Sequence, residues 1–292
     1  MAAEANLTTV LTKAQSIDFA NQFGKQVGKL VDLLGIERKI ALSAGSTINT
    51  YTSSVTLDGT TVAKGDVIPL SEVKLEPGDP ISLEWDKKRK AVAAEDIQTY
   101  GFDQAINRTD NELLRELQKG LRGKLIEQLA DGTGIAAGEG LQAALANAWG
   151  KVGTAFEDDE VKTVAFINTM DLADYLGNAQ ITVQSAFGLN YVENFLGIDV
   201  TIVTPLITKG TFYATAADNL VLAYANVAGG EINRAFDFVT DATGLIGVTH
   251  DINKQRLTAE TITLSGMVLF AERLDGVVVG TVEEVEEIVP GV

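Results

Sequence analysis

The chain has no cysteine and only one histidine, His250, in 292 residues. Without cysteine there is no disulfide framework, no thiol chemistry and no cysteine-based zinc site. A single histidine rules out a His-Glu-x-x-His metal motif. No Ser-His-Asp or Cys-His arrangement can be argued from the order of residues, and a Gly-x-Ser-x-Gly elbow is absent. His250 itself reads as a strand-edge or core histidine. Long uncharged apolar runs are missing too, and none approaches the roughly 20 residues of a membrane helix. The opening Met1-Ala-Ala-Glu-Ala-Asn6 lacks the basic and apolar stretches of a secretion signal, so a cytoplasmic setting is expected. Neither a solenoid repeat nor a low-complexity linker is visible.

Positive charge is scarce. Lys and Arg number 23 against 40 Asp and Glu, a net charge of −17. That balance favours solubility and disfavours direct grip on phosphate backbones, which needs clustered cations. The one tight basic cluster, Lys87-Lys88-Arg89-Lys90, reads as a solvated turn between strands. Gly132-Thr-Gly134-Ile-Ala-Ala137 matches the dinucleotide-binding pattern, with acidic residues following at Glu157–Glu160. The pattern must follow a strand, however, and here it follows a long helix. Glu157-Asp158-Asp159-Glu160 offers the oxygens a divalent cation takes, but without EF-hand spacing it reads as a solvated loop. Asn107-Arg-Thr109 is a formal glycosylation sequon, better read as helix capping. No catalytic residue, metal or cofactor is expected.

What is present is a substantial apolar fraction, 46%, and a clear periodicity. Ile106, Leu113, Leu117, Leu121, Leu125 and Leu129 recur mostly four residues apart, with Leu114 and Ile126 beside them. This predicts one helix, Ile106 to Leu129, capped by Thr109 or Asn107 and stopped by Gly132. Gly120 and Gly123 weaken it by about 1 kcal/mol each relative to alanine and admit close packing instead. Upstream, Ile17, Phe19, Phe23, Val27, Leu30, Val31 and Leu34 also recur at helical spacing. Gly24, Gly28 and Gly35 make that helix marginal alone, so residues 1–42 read as an arm in need of a partner surface.

Residues 43–99 are β-rich. Val73-Lys-Leu75 and Ile81-Ser-Leu83-Glu-Trp85 alternate with period two. Asp58-Gly59, Lys64-Gly65-Asp66 and Glu76-Pro77-Gly78-Asp79-Pro80 signal turns. Thr47–Val67 has too little bulk to bury a core, so a projecting hairpin is expected. After the long helix come a flexible hinge at residues 132–140 and a helix from Leu141 to Trp149. A buried strand, Val164–Ile167, leads through Asn168-Thr169 into a helix, Met170–Leu176. Strands follow at Phe195–Val203, Phe212–Ala214 and Leu220–Ala225. Ile262, Leu264, Val268 and Phe270 alternate, Val277–Val279 reads as fully buried, and Glu283–Glu287 as a frayed acidic tail. The β-rich pieces flanking the α/β block are expected to share a sheet, which makes that block an insertion. The fold class is α+β.

The order of these elements resembles the major capsid protein of tailed bacteriophages, the Hong Kong 97-type fold. The resemblance covers most of the chain. Residues 1–42 are similar to its N-arm and residues 43–86 to its extended E-loop. Trp85-Asp-Lys-Lys-Arg-Lys-Ala-Val-Ala-Ala-Glu95, leading into Leu113–Leu129, is similar to the peripheral-domain strand and spine helix, placed at 87–160. Phe166-Ile-Asn168-Thr-Met170 and Phe195-Leu-Gly197-Ile-Asp-Val200, with Thr204-Pro205-Leu206, are similar to parts of an axial domain, placed at 161–230. Residues 231–292 would return to the peripheral domain and end in the acidic tail.

The resemblance implies self-assembly, through hexamers and pentamers, into an icosahedral shell around double-stranded DNA that is enclosed without specific binding. It implies a virion protein assembled in the host cytoplasm, with a separate scaffolding protein, a portal and a decoration protein as partners, and no membrane. Phe19, Phe23 and Val27 of the arm, Tyr51, Val55, Asp58, Lys64 and Asp66 of the hairpin, and Arg115 and Lys119 of the helix are expected to contact neighbouring copies. Lys64 has no identifiable crosslinking partner, so no covalent crosslink is expected. The rival readings are an encapsulin-type nanocompartment shell, a metal-dependent α/β enzyme using Glu157–Glu160, and a β-rich tail or adhesion protein.

Overall fold

The computed structural model describes residues 7–59, 61–156, 161–177, 183–186 and 189–283. Helix α1 spans Leu7–Leu34. It stops at Gly35, whose φ of 68° lets the Ile36 N–H reach back to the Val31 carbonyl at 2.9 Å. Then come β1 (Arg38–Leu42), β2 (Thr47–Ile48), β3 (Tyr51–Thr56), β4 (Glu72–Pro77), β5 (Ile81–Ser82) and β6 (Asp86–Ala93). Helix α2 (Ala94–Tyr100) ends at Gly101, whose φ of 83° separates it from the long helix α3, Phe102–Leu129. Because α3 starts at Phe102, Asn107 and Thr109 lie inside it rather than at its cap. The Thr109 hydroxyl instead bonds back to the Ala105 and Ile106 carbonyls, each at 2.9 Å.

The expected hinge at 132–140 is strand β7 (Gly134–Glu139), which runs straight into α4 (Gly140–Ala155). A side chain at Gly138 would overlap the backbone at Ala143 and Ala144, so glycine there lets α4 fold back onto β7. Strand β8 (Thr163–Asn168) leads into α5 (Thr169–Leu176). Asn168 caps α5 by accepting the Met170 N–H at 2.6 Å, and its amide donates to the Ile207 carbonyl at 2.5 Å. The remaining elements are β9 (Gln184–Ala186), β10 (Leu189–Phe195), β11 (Ile198–Thr204), β12 (Thr211–Ala216), β13 (Leu220–Ala225), α6 (Glu231–Phe236), β14 (Val239–Thr240), β15 (Ile246–Asn253), β16 (Thr258–Ser265), β17 (Met267–Ala271) and β18 (Val277–Glu283).

A seven-stranded mixed sheet, β7-β18-β12-β8-β11-β10-β9, has an apolar layer on each face. Alternation along β8 explains how. Ala165 and Ile167 meet Leu141, Leu145 and Val152 of α4, while Val164 and Phe166 join the core shared by α1 and α3. Beside it, a four-stranded sheet, β14-β15-β16-β6, pairs the early strand β6 with the late strand β16. A three-stranded sheet, β1-β13-β17, does the same for β1.

Further expectations are corrected. The arm's partner surface is its own chain: Phe19, Phe23 and Val27 are 4, 1 and 1% exposed and pack in one core with Leu114, Leu117 and Leu121. The apolar stripe of α1 is thereby used up within the chain, which buries these three side chains itself. Lys87–Lys90 is not a turn but part of β6, with Lys90 opposite Thr261 in β16. The boundary expected at residue 160 falls inside one packing layer, because β7 and α4 belong with the seven-stranded sheet. Finally, β18 does not join the sheet of β6 and β16: it lies between β7 and β12, with Val277 and Val278 buried.

Gly120 and Gly123 face open space within the chain, with nothing within 4 Å of an added methyl group. Gly120→Ala and Gly123→Ala should each raise the urea midpoint, stabilising the subunit by about 1 kcal/mol. Gly280→Ala should lower it by about 1–3 kcal/mol, because the new methyl overlaps the Phe212 ring.

Candidate assembly surface

Strands β3 and β4 form a ribbon of two strands, paired from Tyr51↔Pro77 to Thr56↔Glu72. Period-two geometry puts Val73, Leu75 and Pro77 of β4 on one face and Glu72, Lys74 and Glu76 on the other. Every residue of β4 is exposed, so among the described residues neither face of this strand is covered. Leu57, Val67, Ile68, Leu70, Val73 and Leu75 are between 63 and 95% exposed. Burying a large apolar side chain is worth about 1.5–3 kcal/mol, so covering these six releases roughly 9–18 kcal/mol before the costs of association. An isolated hairpin of two strands is marginal by itself.

The root of the ribbon is fixed. The Tyr51 N–H donates to the Glu272 carbonyl at 3.2 Å, and the Gly78 N–H to the Thr50 carbonyl at 2.8 Å. Arg38 forms a forked ion pair with Glu272. A side chain at Gly78 would overlap Thr50 and Leu274, so glycine is required there. Towards the tip, Gly65 at φ 98° makes the turn closed by the Asp66 N–H to the Ala63 carbonyl at 3.1 Å.

Of the residues expected at neighbouring copies, Asp58, Lys64 and Asp66 sit exposed at this tip, and Tyr51 is half-buried at its root. Val55 stands opposite Val73, but its side chain lies outside the described residues. Arg115 is exposed on α3 and pairs with Glu112 at 2.8 Å, and Lys119 is exposed on the same helix. The sequence reading overlooked the strongest apolar signal, Val67-Ile68-Pro69-Leu70. The clue was an apolar run in a segment with no other bulk to pack against.

A second arrangement joins five elements in the interior. Asp110 of α3 accepts from Lys90 of β6 at 2.9 Å, from Thr261 of β16 at 3.1 Å, and contacts His250 Nε2 of β15 at 2.9 Å. His250 Nδ1 lies 2.8 Å from the Ser16 hydroxyl of α1. Ser, His and Asp thus do meet, through separations of 234 and 140 residues that no sequence pattern announces. All three are buried within the chain. Burial pushes the Asp110 carboxyl up, but the bonds and charges of His250 and Lys90 together hold it below its ordinary value. Burial outweighs Asp110 at Lys90 and lowers that ammonium. On the same strands, the Arg89 hydrogen bonds hold the Glu260 carboxyl low.

Among the described residues there is no group of three or more His, Asp or Glu placed to hold a metal ion, and no helix long and apolar enough to cross a membrane. Glu157–Glu160 lie outside the described residues.

No protein-family model matches the chain, and no curated protein matches it in sequence. Solved structures do match. The capsid of Cyanophage A-1(L) is 12% identical with a TM-score of 0.57, covering 88% of this chain and 93% of that one. The procapsid of satellite phage P4, a structure that includes a size determination (Sid) protein, is 10% identical with a TM-score of 0.53, covering 98% and 94%. The holo-SrpI encapsulin complex from Synechococcus elongatus is 13% identical with a TM-score of 0.52, covering 88% and 89%. At these identities the likeness is one of fold: the chain has the α+β Hong Kong 97-type capsid fold expected from its element order.

A carboxyl held low in the folded state contributes stability that is complete above its unfolded value and is lost as pH falls through its folded one. The urea midpoint should therefore drop as pH is lowered from about 5 towards 2. Asp110→Asn should flatten that drop, and near neutral pH it should cost about 3–5 kcal/mol by leaving Lys90 without its buried partner.

Proposed function

We propose that this chain is a structural subunit that assembles with copies of itself into an icosahedral shell, the head of a tailed phage, enclosing double-stranded DNA. One observation carries the reading. A rooted ribbon presents an apolar face that none of the described residues covers. A sister copy is the partner always present at matching concentration, and closed symmetric assemblies are the usual result of such contacts. A stable interface buries about 1,200–2,000 Å², which extended elements reach by touching several neighbours.

The net charge of −17 suits a container wall, because packaged DNA is repelled rather than gripped. The shell is built in the host cytoplasm and becomes part of the virion. A separate scaffolding protein sets the shell's size, a reading supported by the likeness to a procapsid containing a size determination protein. A portal and a decoration protein complete the particle. The subunit has no catalytic role. The alternative is an encapsulin-type nanocompartment, favoured by the SrpI likeness, and it differs in contents: cargo enzyme and no DNA.

Val73→Glu combined with Leu75→Glu should leave the subunit folded, within about 0.5 kcal/mol, because both side chains are exposed. It should abolish shells in negative-stain microscopy and sedimentation, while Lys74→Ala assembles normally. Uniform shells from the double variant would overturn the reading. Expressed without other phage proteins, the unsubstituted chain should give shells of mixed size. A single correct size from the chain alone would remove the scaffolding protein from the account.

A further inference from the structure

We propose that protonation of His250 fastens helix α1 onto the body of the subunit, so that the seating of α1 is pH-dependent. The proposal comes from counting hydrogens around Ser16. Its oxygen lies 3.0 Å from the Thr12 carbonyl, 3.1 Å from the His250 backbone nitrogen and 2.8 Å from His250 Nδ1. The backbone N–H donates and the carbonyl only accepts. The hydroxyl has a single hydrogen, which goes either to the Thr12 carbonyl or to Nδ1.

The far side of the imidazole fixes the rest. Ionised Asp110 only accepts, so the His250 nitrogen facing it at 2.9 Å, Nε2, carries a hydrogen. With neutral His250, Nδ1 is bare, and it competes with the Thr12 carbonyl for the Ser16 hydrogen. One of the three contacts at Ser16 is then lost. With the imidazolium, Nδ1 donates to Ser16, Ser16 donates to Thr12, and all three are made at once. The bond across the α1 seam also becomes charge-assisted, and such bonds are the stronger kind.

The charges around the network are few. Lys90 of β6 opposes a second cation but binds the other Asp110 oxygen, Oδ1, at 2.9 Å, and it belongs to the body whether or not α1 is seated. Lys13 of α1, Asp103 and Arg108 of α3 and Asp251 of β15 are exposed to solvent. On β16, Glu260 is engaged by Arg89, Asn253 and Thr258. Asp110 stays ionised across the range in which histidine titrates, because its carboxyl is held low.

The chain has one histidine, so the imidazole signal of the full-length, unassembled protein is unambiguous by NMR. Hydrogen exchange of the α1 amides, corrected for intrinsic rates, should be about fivefold slower where the His250 imidazole signal reads charged than where it reads neutral, the difference between a charged and a neutral hydrogen bond. The change should follow the His250 imidazole titration. In Ser16→Ala and in His250→Gln the corrected α1 rates should lose this pH dependence. The pH slope is compared rather than the level, so a loss of stability common to all pH values does not obscure the result, and Ser16→Ala decides alone if His250→Gln fails to fold. A flat wild-type profile, or the same slope in Ser16→Ala, overturns the proposal.

Discussion

Each apolar face in this chain needs a cover, and the chain has a limited number of layers to provide one. The seven-stranded sheet uses α4 and α5 on one side and the shared core of α1 and α3 on the other. The ribbon of β3 and β4 has no third layer. Period-two geometry gives it an apolar face regardless, and the exposure of Val73 and Leu75 is the direct result. The result is an inequality: two faces are covered internally and one, among the described residues, is left exposed.

The interior knot around Asp110 shows a different balance. Lys90, Asp110 and His250 leave water at a cost that well-packed apolar side chains would avoid. What the knot provides is registration. It ties α1, α3, β6, β15 and β16 at one point, through directional hydrogen bonds and an ion pair. The apolar seam between α1 and α3 alone would tolerate sliding, since leucine stripes fit in more than one offset. The bond between Gln26 and Gln118 adds a second pin along the same seam.

Much of this was legible in the residues. The four-residue leucine spacing marked α3, the Asn168-Thr169 pair marked the start of α5, and the weak, turn-punctuated stretch marked a projecting hairpin. The misses have one cause. Periodicity says that a face is apolar but not what covers it. Phe19, Phe23 and Val27 read the same whether they meet a sister copy or α3. Lys87–Lys90 looked like a turn because the partners of Arg89 and Lys90 lie far off in sequence, at Glu260 and Asp110. The glycines of 132–140 looked like slack, although Gly134 lies tight against Val277 and Val278 of β18, and Gly138 tight against the start of α4.

The position of β18 has a consequence for synthesis. Residues 277–283 form a strand in the interior of the seven-stranded sheet, and β7 is hydrogen-bonded to that strand alone. While the ribosome is still making the chain, β7 has no neighbour to pair with, and β6 likewise waits for β16. Such long-range pairings fold late. A prematurely terminated product therefore lacks an interior strand of its largest sheet, and β7 stays without its partner.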